Sequence, residues 1–141
     1  MPIDILLVED SLADARLTRR ALQKSRVSSN LHVVRDGVEA MAFLHRREPF
    51  AEAPRPDLVL LDLNLPRKDG RAVLAEIKSD ERLRTIPVVV LTTSIAPDDV
   101  QTCYHLHANC FLVKPVDLEA FTSTILAIEE FWLHRARLPT A

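Results

Sequence analysis

The 141-residue sequence predicts an α/β fold: a doubly wound, five-stranded parallel sheet in the order 2-1-3-4-5, with helices on both faces. Three observations carry this. Apolar runs without polar alternation recur at residues 3–8, 58–61 and 86–91, and such runs suit strands buried on both faces. Helical patterns separate them, and strict alternation favours parallel pairing through right-handed crossovers. The run at 31–34 is short with polar flanks, so it reads as an edge strand and sets the order.

Each element has its own justification. Strand 1 (residues 3–8) ends in Glu9-Asp10, and Ser11 and Asp14 then start a helix. In that helix Ala13, Leu17, Ala21 and Lys24 share one face, with Leu12 and Leu22 nearby, while Arg16, Arg19 and Arg20 decorate the other. Strand 2 leads to an Asp36-Gly37 turn and a helix carrying Val38, Met41, Phe43 and Leu44. Three prolines between 50 and 56, or adjoining them, mark a surface loop. Strand 3 (residues 58–61) ends abruptly in Asp62. Leu65-Pro66 blocks an immediate helix, and Asp69-Gly70 opens the next one, over about 71–80. Strand 4 ends in Thr92-Thr93-Ser94. Pro97 then sits at a helix start with Asp98-Asp99 in the first turn, and that helix runs to about His107. Strand 5 (residues 110–113) closes with Lys114-Pro115, and Asp117 caps a final helix over roughly 118–137.

The totals narrow the function. The length suits one compact domain with a real core, and the net charge of -2 gives no electrostatic case for nucleic acid. No apolar run reaches membrane-spanning length and the N-terminus lacks a signal-peptide pattern, so a cytoplasmic protein is expected. Only two glycines, Gly37 and Gly70, are present, which excludes a glycine-rich phosphate cradle. Cys103, His105, His107 and Cys110 superficially resemble zinc ligands, but 105 points away from 103 and 107 on a helix. They read as structural.

Four strand ends carry specific polar groups: Glu9 and Asp10, Asp62, Thr92, and Lys114. In the order 2-1-3-4-5 the carboxyl ends of strands 1, 3, 4 and 5 are contiguous and meet at the switch point, where open α/β sheets bind ligands. Crowded carboxylates repel, and a hard divalent cation such as Mg²⁺ relieves this while leaving positions for phosphate oxygens. Lys114 supplies a cation and Thr92 a hydroxyl for an anion beside the metal. No histidine or cysteine stands at these ends, so the Asp62 carboxylate is the available nucleophile.

At these residues the sequence resembles the receiver domain of two-component response regulators. The matches are Glu9-Asp10 after strand 1, Asp62 in LLDLNLPRKDG, Thr92 in VVVLTTS and Lys114-Pro115 in LVKP. The resemblance implies a flavodoxin-like fold, one receiver domain over 1–141, and Mg²⁺ held by Glu9 or Asp10, Asp62 and the backbone carbonyl of Asn64. It further implies phosphoryl transfer from a histidine kinase to Asp62, phosphoryl contacts from Thr92 and Lys114, a cis Lys114–Pro115 peptide, and an aromatic switch at Phe111 coupled to Thr92. CYHLHANCFLVKP and IEEFWL look like the small single-domain regulators that partner phytochrome-type histidine kinases. His107 departs from the wider pattern, which has glycine there; a left-handed turn would cost a non-glycine residue about 1 kcal/mol.

With no output domain expected, the signal leaves by protein contact. In the last helix Leu118, Phe121, Ile125, Ile128 and Trp132 form a stripe expected to face the core, and Ala120, Thr124, Ala127 and Phe131 form a second. Phe131, Trp132 and Leu133 are the candidates for a homodimer contact. Two other readings compete. One is a Mg²⁺-dependent phosphohydrolase with Asp62 as turnover nucleophile, which lacks the usual second acid because Asn64 stands there. The other is a degenerate receiver acting as a scaffold, against which the full set of acids, Asp62, Thr92 and Lys114 speaks.

Overall fold

The computed structural model describes residues 2–140. Five parallel strands lie in the order β2-β1-β3-β4-β5. They are β1 (Ile3–Val8), β2 (Ser29–Val34), β3 (Leu58–Leu61), β4 (Val88–Thr92) and β5 (Cys110–Val113). Between and after them come α1 (Leu12–Gln23), α2 (Gly37–Leu44), α3 (Gly70–Ser79), α4 (Pro97–His105) and α5 (Leu118–Ile128), the last continuing as a π-helical segment, Glu129–Arg135.

The unbroken apolar runs are explained by two cores, one on each face of the sheet. Leu6, Val8, Val59, Leu61, Val88 and Val90 face one core, with Val73, Leu74 and Ile77 of α3 and Cys103 of α4. Ile5, Leu7, Leu58, Leu60, Val89 and Leu91 face the other, with Ala21 and Leu22 of α1 and Phe121, Ile125 and Ile128 of α5. Apart from Asp4 near the start of β1, the three central strands carry only apolar side chains until Thr92 at the end of β4. The next polar side chains therefore appear where the strands stop.

The two glycines mark close approaches. A Cβ on Gly70 would lie 2.2 Å from the Asp62 carbonyl oxygen, and one on Gly37 would lie 2.2 Å from that of Lys68. The start of α3 is thereby seated directly on the end of β3.

Several sequence expectations shift. The buried face of α1 is Ala15, Thr18, Ala21 and Leu22, whereas Ala13 is exposed and Leu12 half-exposed. β2 begins two residues earlier than expected, at Ser29, and remains an edge. α4 ends at His105, and His107 takes the left-handed conformation, φ 71°. The Ala108 N–H donates to the Cys103 carbonyl at 2.9 Å, so the helix closes as it would with glycine and the cost is absorbed. The Lys114–Pro115 peptide is trans; the one cis peptide among the described residues is Glu48–Pro49.

The C-terminal helix departs most. Leu118 is 63% exposed rather than core-facing. Beyond Ile128 the backbone opens to i→i+5 bonding, with the Ala136 N–H donating to the Phe131 carbonyl at 2.7 Å. One extra residue per turn moves the inward position from 132 to 133. Leu133, expected on the contact face, is therefore buried in the second core, and Trp132 packs at its edge. Phe131 stays outside at 56% exposure, its ring edge-on to Trp132 with centroids 5.1 Å apart.

Candidate functional site: an acidic hollow closed by one lysine

The site is built where β1, β3, β4 and β5 end. Parallel pairing carries on past the strands. The Glu9 N–H donates to the Val34 carbonyl, that of Asp62 to Val8, and that of Lys114 to Thr92, at 2.9, 3.1 and 2.7 Å. Each polar residue is therefore fixed by backbone on its neighbour's strand, and all point into one hollow.

Lys114 is its hub. Its Nζ donates to Asp62 Oδ2 and Asp14 Oδ2, each at 2.9 Å, and to Glu9 Oε1. All three ammonium protons are thus used. Burial alone would lower the lysine's pKa, but the bonds to Glu9, Asp14 and Asp62 outweigh it and hold the group well above its ordinary value. Glu9 is held in turn by the Ser11 N–H, which donates to Oε2 at 3.1 Å. Burial pushes the Glu9 carboxyl up to about 7 even though Lys114 pulls the other way.

Three carboxylates, those of Glu9, Asp14 and Asp62, thus surround one ammonium. Glu9, Asp10 and Asp62 each present an oxygen within 4.8 Å of the others, and this is the one such cluster among the described residues. Asp10 is exposed, so the cluster opens to solvent on its side. All-oxygen donors with excess negative charge suit a hard divalent cation and not a thiophilic one. The residues present fit the group. Asn64 adjoins, its N–H 3.4 Å from Asp62 Oδ1.

Thr92, the last residue of β4, is fully buried, and its Oγ1 lies 3.5 Å from the Ser94 N–H. Phe111 is half-buried against the first core, and its N–H donates to the Tyr104 hydroxyl oxygen at 3.1 Å. Glu9, Asp10, Asp62 and Lys114 are therefore brought together, with Thr92 on the adjoining strand, while Phe131, Trp132 and Leu133 lie elsewhere. Asp14 was read only as a helix-start residue. Its signal was its place in the first turn of α1, four residues after Asp10, which aims it back over the strand end. Of the set-aside zinc group, Cys103 is buried in the core and both cysteines are free thiols.

Residues 5–126 match the family model for the response regulator receiver domain. The chain belongs to that family, whose members are signalling phosphoacceptors that bind a divalent metal. Among individual proteins, it is 52% identical over 140 residues to the response regulator Rcp1 of Synechocystis sp., covering 99% of this chain and 95% of that one. The Mn²⁺-bound form of Rcp1 superposes with a TM-score of 0.96 over 99% of this chain and 100% of that one. The phosphorylated cyanobacterial phytochrome response regulator RcpA, 54% identical, gives 0.96 with the same coverage. The bacteriophytochrome response regulator AtBRR, 40% identical, gives 0.75 over 99% of each chain. The phosphohydrolase reading is not favoured.

Proposed function

We propose that this protein is a single-domain response regulator that accepts a phosphoryl group on Asp62 from a phytochrome-type histidine kinase. The observation that carries this is the convergence of Lys114 on Asp62, Glu9 and Asp14 beside an open acidic cluster. The kinase class rests on similarity to RcpA and AtBRR, described as phytochrome and bacteriophytochrome response regulators.

An Asp62 carboxylate oxygen attacks the phosphorus of a phosphohistidine. The P–N bond breaks, and the imidazole nitrogen keeps the electron pair. The carboxylates of Glu9, Asp10 and Asp62 and the Asn64 carbonyl would hold Mg²⁺, which would supply positive charge against the carboxylate and the phosphoryl oxygens. Lys114 exchanges a carboxylate partner for a phosphoryl oxygen, and the Thr92 hydroxyl donates to another. The acyl phosphate then hydrolyses by attack of water. The same geometry allows a small acyl phosphate to replace the kinase, so modification and its reversal are intrinsic to the chain.

The phosphoryl group adds about -1.5 to -2 charges at the end of β3. Thr92 moves toward it and Phe111 turns inward into the space left, changing the surface of α4, β5 and α5. That surface holds an apolar groove of about 360 Å³, lined in part by Leu112, Ile128, Phe131 and Trp132. It supports a homodimer through Phe131 and Trp132, in a protein that works in the cytoplasm and passes its signal by protein contact.

Incubation with an autophosphorylated phytochrome-type histidine kinase tests the assignment. Label is expected to move to the wild-type chain with Mg²⁺ and not to Asp62→Asn. Equal labelling of both would overturn it.

A further inference from the structure

The first turns of α3 and α4 are tied together above the ends of β3 and β4. Arg71 Nη2 and Nε both donate to Asp99 Oδ1, at 2.6 and 3.1 Å, and Nη1 donates to both oxygens of Asp69, at 3.0 and 3.2 Å. The other Asp99 oxygen accepts the Ser94 hydroxyl. That hydroxyl oxygen accepts the Ala96 N–H at 3.3 Å, and the Ser94 N–H points at Thr92 Oγ1. A chain of contacts therefore runs from α3 to Thr92.

Its far end is rigid. Asp69 caps α3, and the Gly70 N–H donates to the Leu63 carbonyl at 2.9 Å in a space that admits no Cβ. The ionic link is favourable in place. The Ser94 hydroxyl and Arg71 hold the Asp99 carboxyl below the usual aspartate value, and Asp99 raises Arg71.

We propose that Arg71 and Asp99 are positioning residues that, through Ser94, hold Thr92 in its resting place and resist its movement toward a phosphoryl group. The proposal rests on the reading of Thr92 as a phosphoryl contact. If the Thr92 hydroxyl turns to an anion on Asp62, the Ser94 N–H loses its acceptor. The loop must then follow, and the Asp99–Arg71 pair opposes that. Cutting the pair removes stabilisation from the unengaged state alone, so a ligand that engages Thr92 binds more tightly.

Calorimetric titration of the Mg²⁺-loaded protein with beryllofluoride, a phosphoryl mimic, tests this. Wild type is expected to bind and Asp62→Asn not to bind. Asp99→Asn and Arg71→Gln should each bind about fivefold more tightly, a coupling at the low end of the usual range. The double variant should bind no tighter than either single one, and Arg71→Lys should fall between wild type and Arg71→Gln. A merely structural pair would lower the melting temperature without tightening the mimic. Affinity within twofold of wild type, or weaker, in both Asp99→Asn and Arg71→Gln overturns the proposal. Binding by wild type that Asp62→Asn retains, or no binding at all, overturns the reading beneath it.

Discussion

Two regions of this molecule break the ordinary rule of burial in opposite directions. At the strand ends, Glu9, Asp62 and Lys114 are charged groups under 10% exposed. On the α5 side, Phe131 is an aromatic ring more than half exposed. Buried charge is tolerated in the first region because every group has partners from another strand. Exposed apolar surface persists in the second because the π-helical turn spends the inward position on Leu133 and leaves Phe131 outside. Chemistry belongs where charge is held against its hydration, and contact with other chains belongs where apolar surface is left uncovered.

Removing the hub of the first region should have the largest effect. In the absence of divalent metal, Lys114→Met leaves Glu9, Asp14 and Asp62 without their cation and is expected to cost about 3 kcal/mol in urea unfolding. Added Mg²⁺ should return part of that loss. The second region separates two neighbours. Leu133→Ala should cost about 2–3 kcal/mol, because it empties a core position. Phe131→Ala should cost less than about 1 kcal/mol yet lower the dimer fraction in sedimentation. Equal costs for the two would contradict the inward shift at the π-helical turn.

Most of the fold was legible because three strands are buried on both faces, and nothing but an unbroken apolar run satisfies that. The strand-end residues were legible for the same reason: a carboxylate after Leu61 or Val8 can lie only at the sheet's edge of solvent. Lys114 was legible as a strand-end cation. Its partnership with Asp14 was not, because that contact spans 100 residues and depends on the tilt of α1. Leu133 was misplaced because a 3.6-residue period was carried through a segment that changes period, whereas Leu118 lies in the regular part of α5 and is exposed because it stands in the first turn, next to the Asp117 cap. Nothing in EEFWLHR marks that change. The α1 face was misassigned because Thr18, a polar residue, takes a core position by donating its hydroxyl to the Asp14 carbonyl at 2.8 Å.

Smaller effects sharpen the contrast between buried and exposed acids. Asp10→Asn should change metal-free stability by less than about 0.5 kcal/mol, since the side chain is exposed, while weakening Mg²⁺ binding. Mg²⁺ should raise the melting temperature of wild type, less so for Asp10→Asn, and chelation should reverse it. The smallest effect concerns acid. Asp99 has a folded pKa below its unfolded value of about 3.8, so it stabilises the fold above that value. The contribution is lost as pH falls through the lower, folded value. Asp99→Asn should flatten the acid limb of a melting-temperature profile and leave the profile near neutral pH parallel to wild type.

The proposed function requires that Asp62, set among acids and an ammonium from distant parts of the chain, form an acyl phosphate. Intact-mass measurement after incubation with acetyl phosphate and Mg²⁺ tests it most directly. Wild type should gain the mass of one phosphoryl group, Asp62→Asn should gain none, and chelation should abolish the gain. A phosphoryl gain that survives Asp62→Asn, or a wild-type chain that stays unmodified, would contradict it.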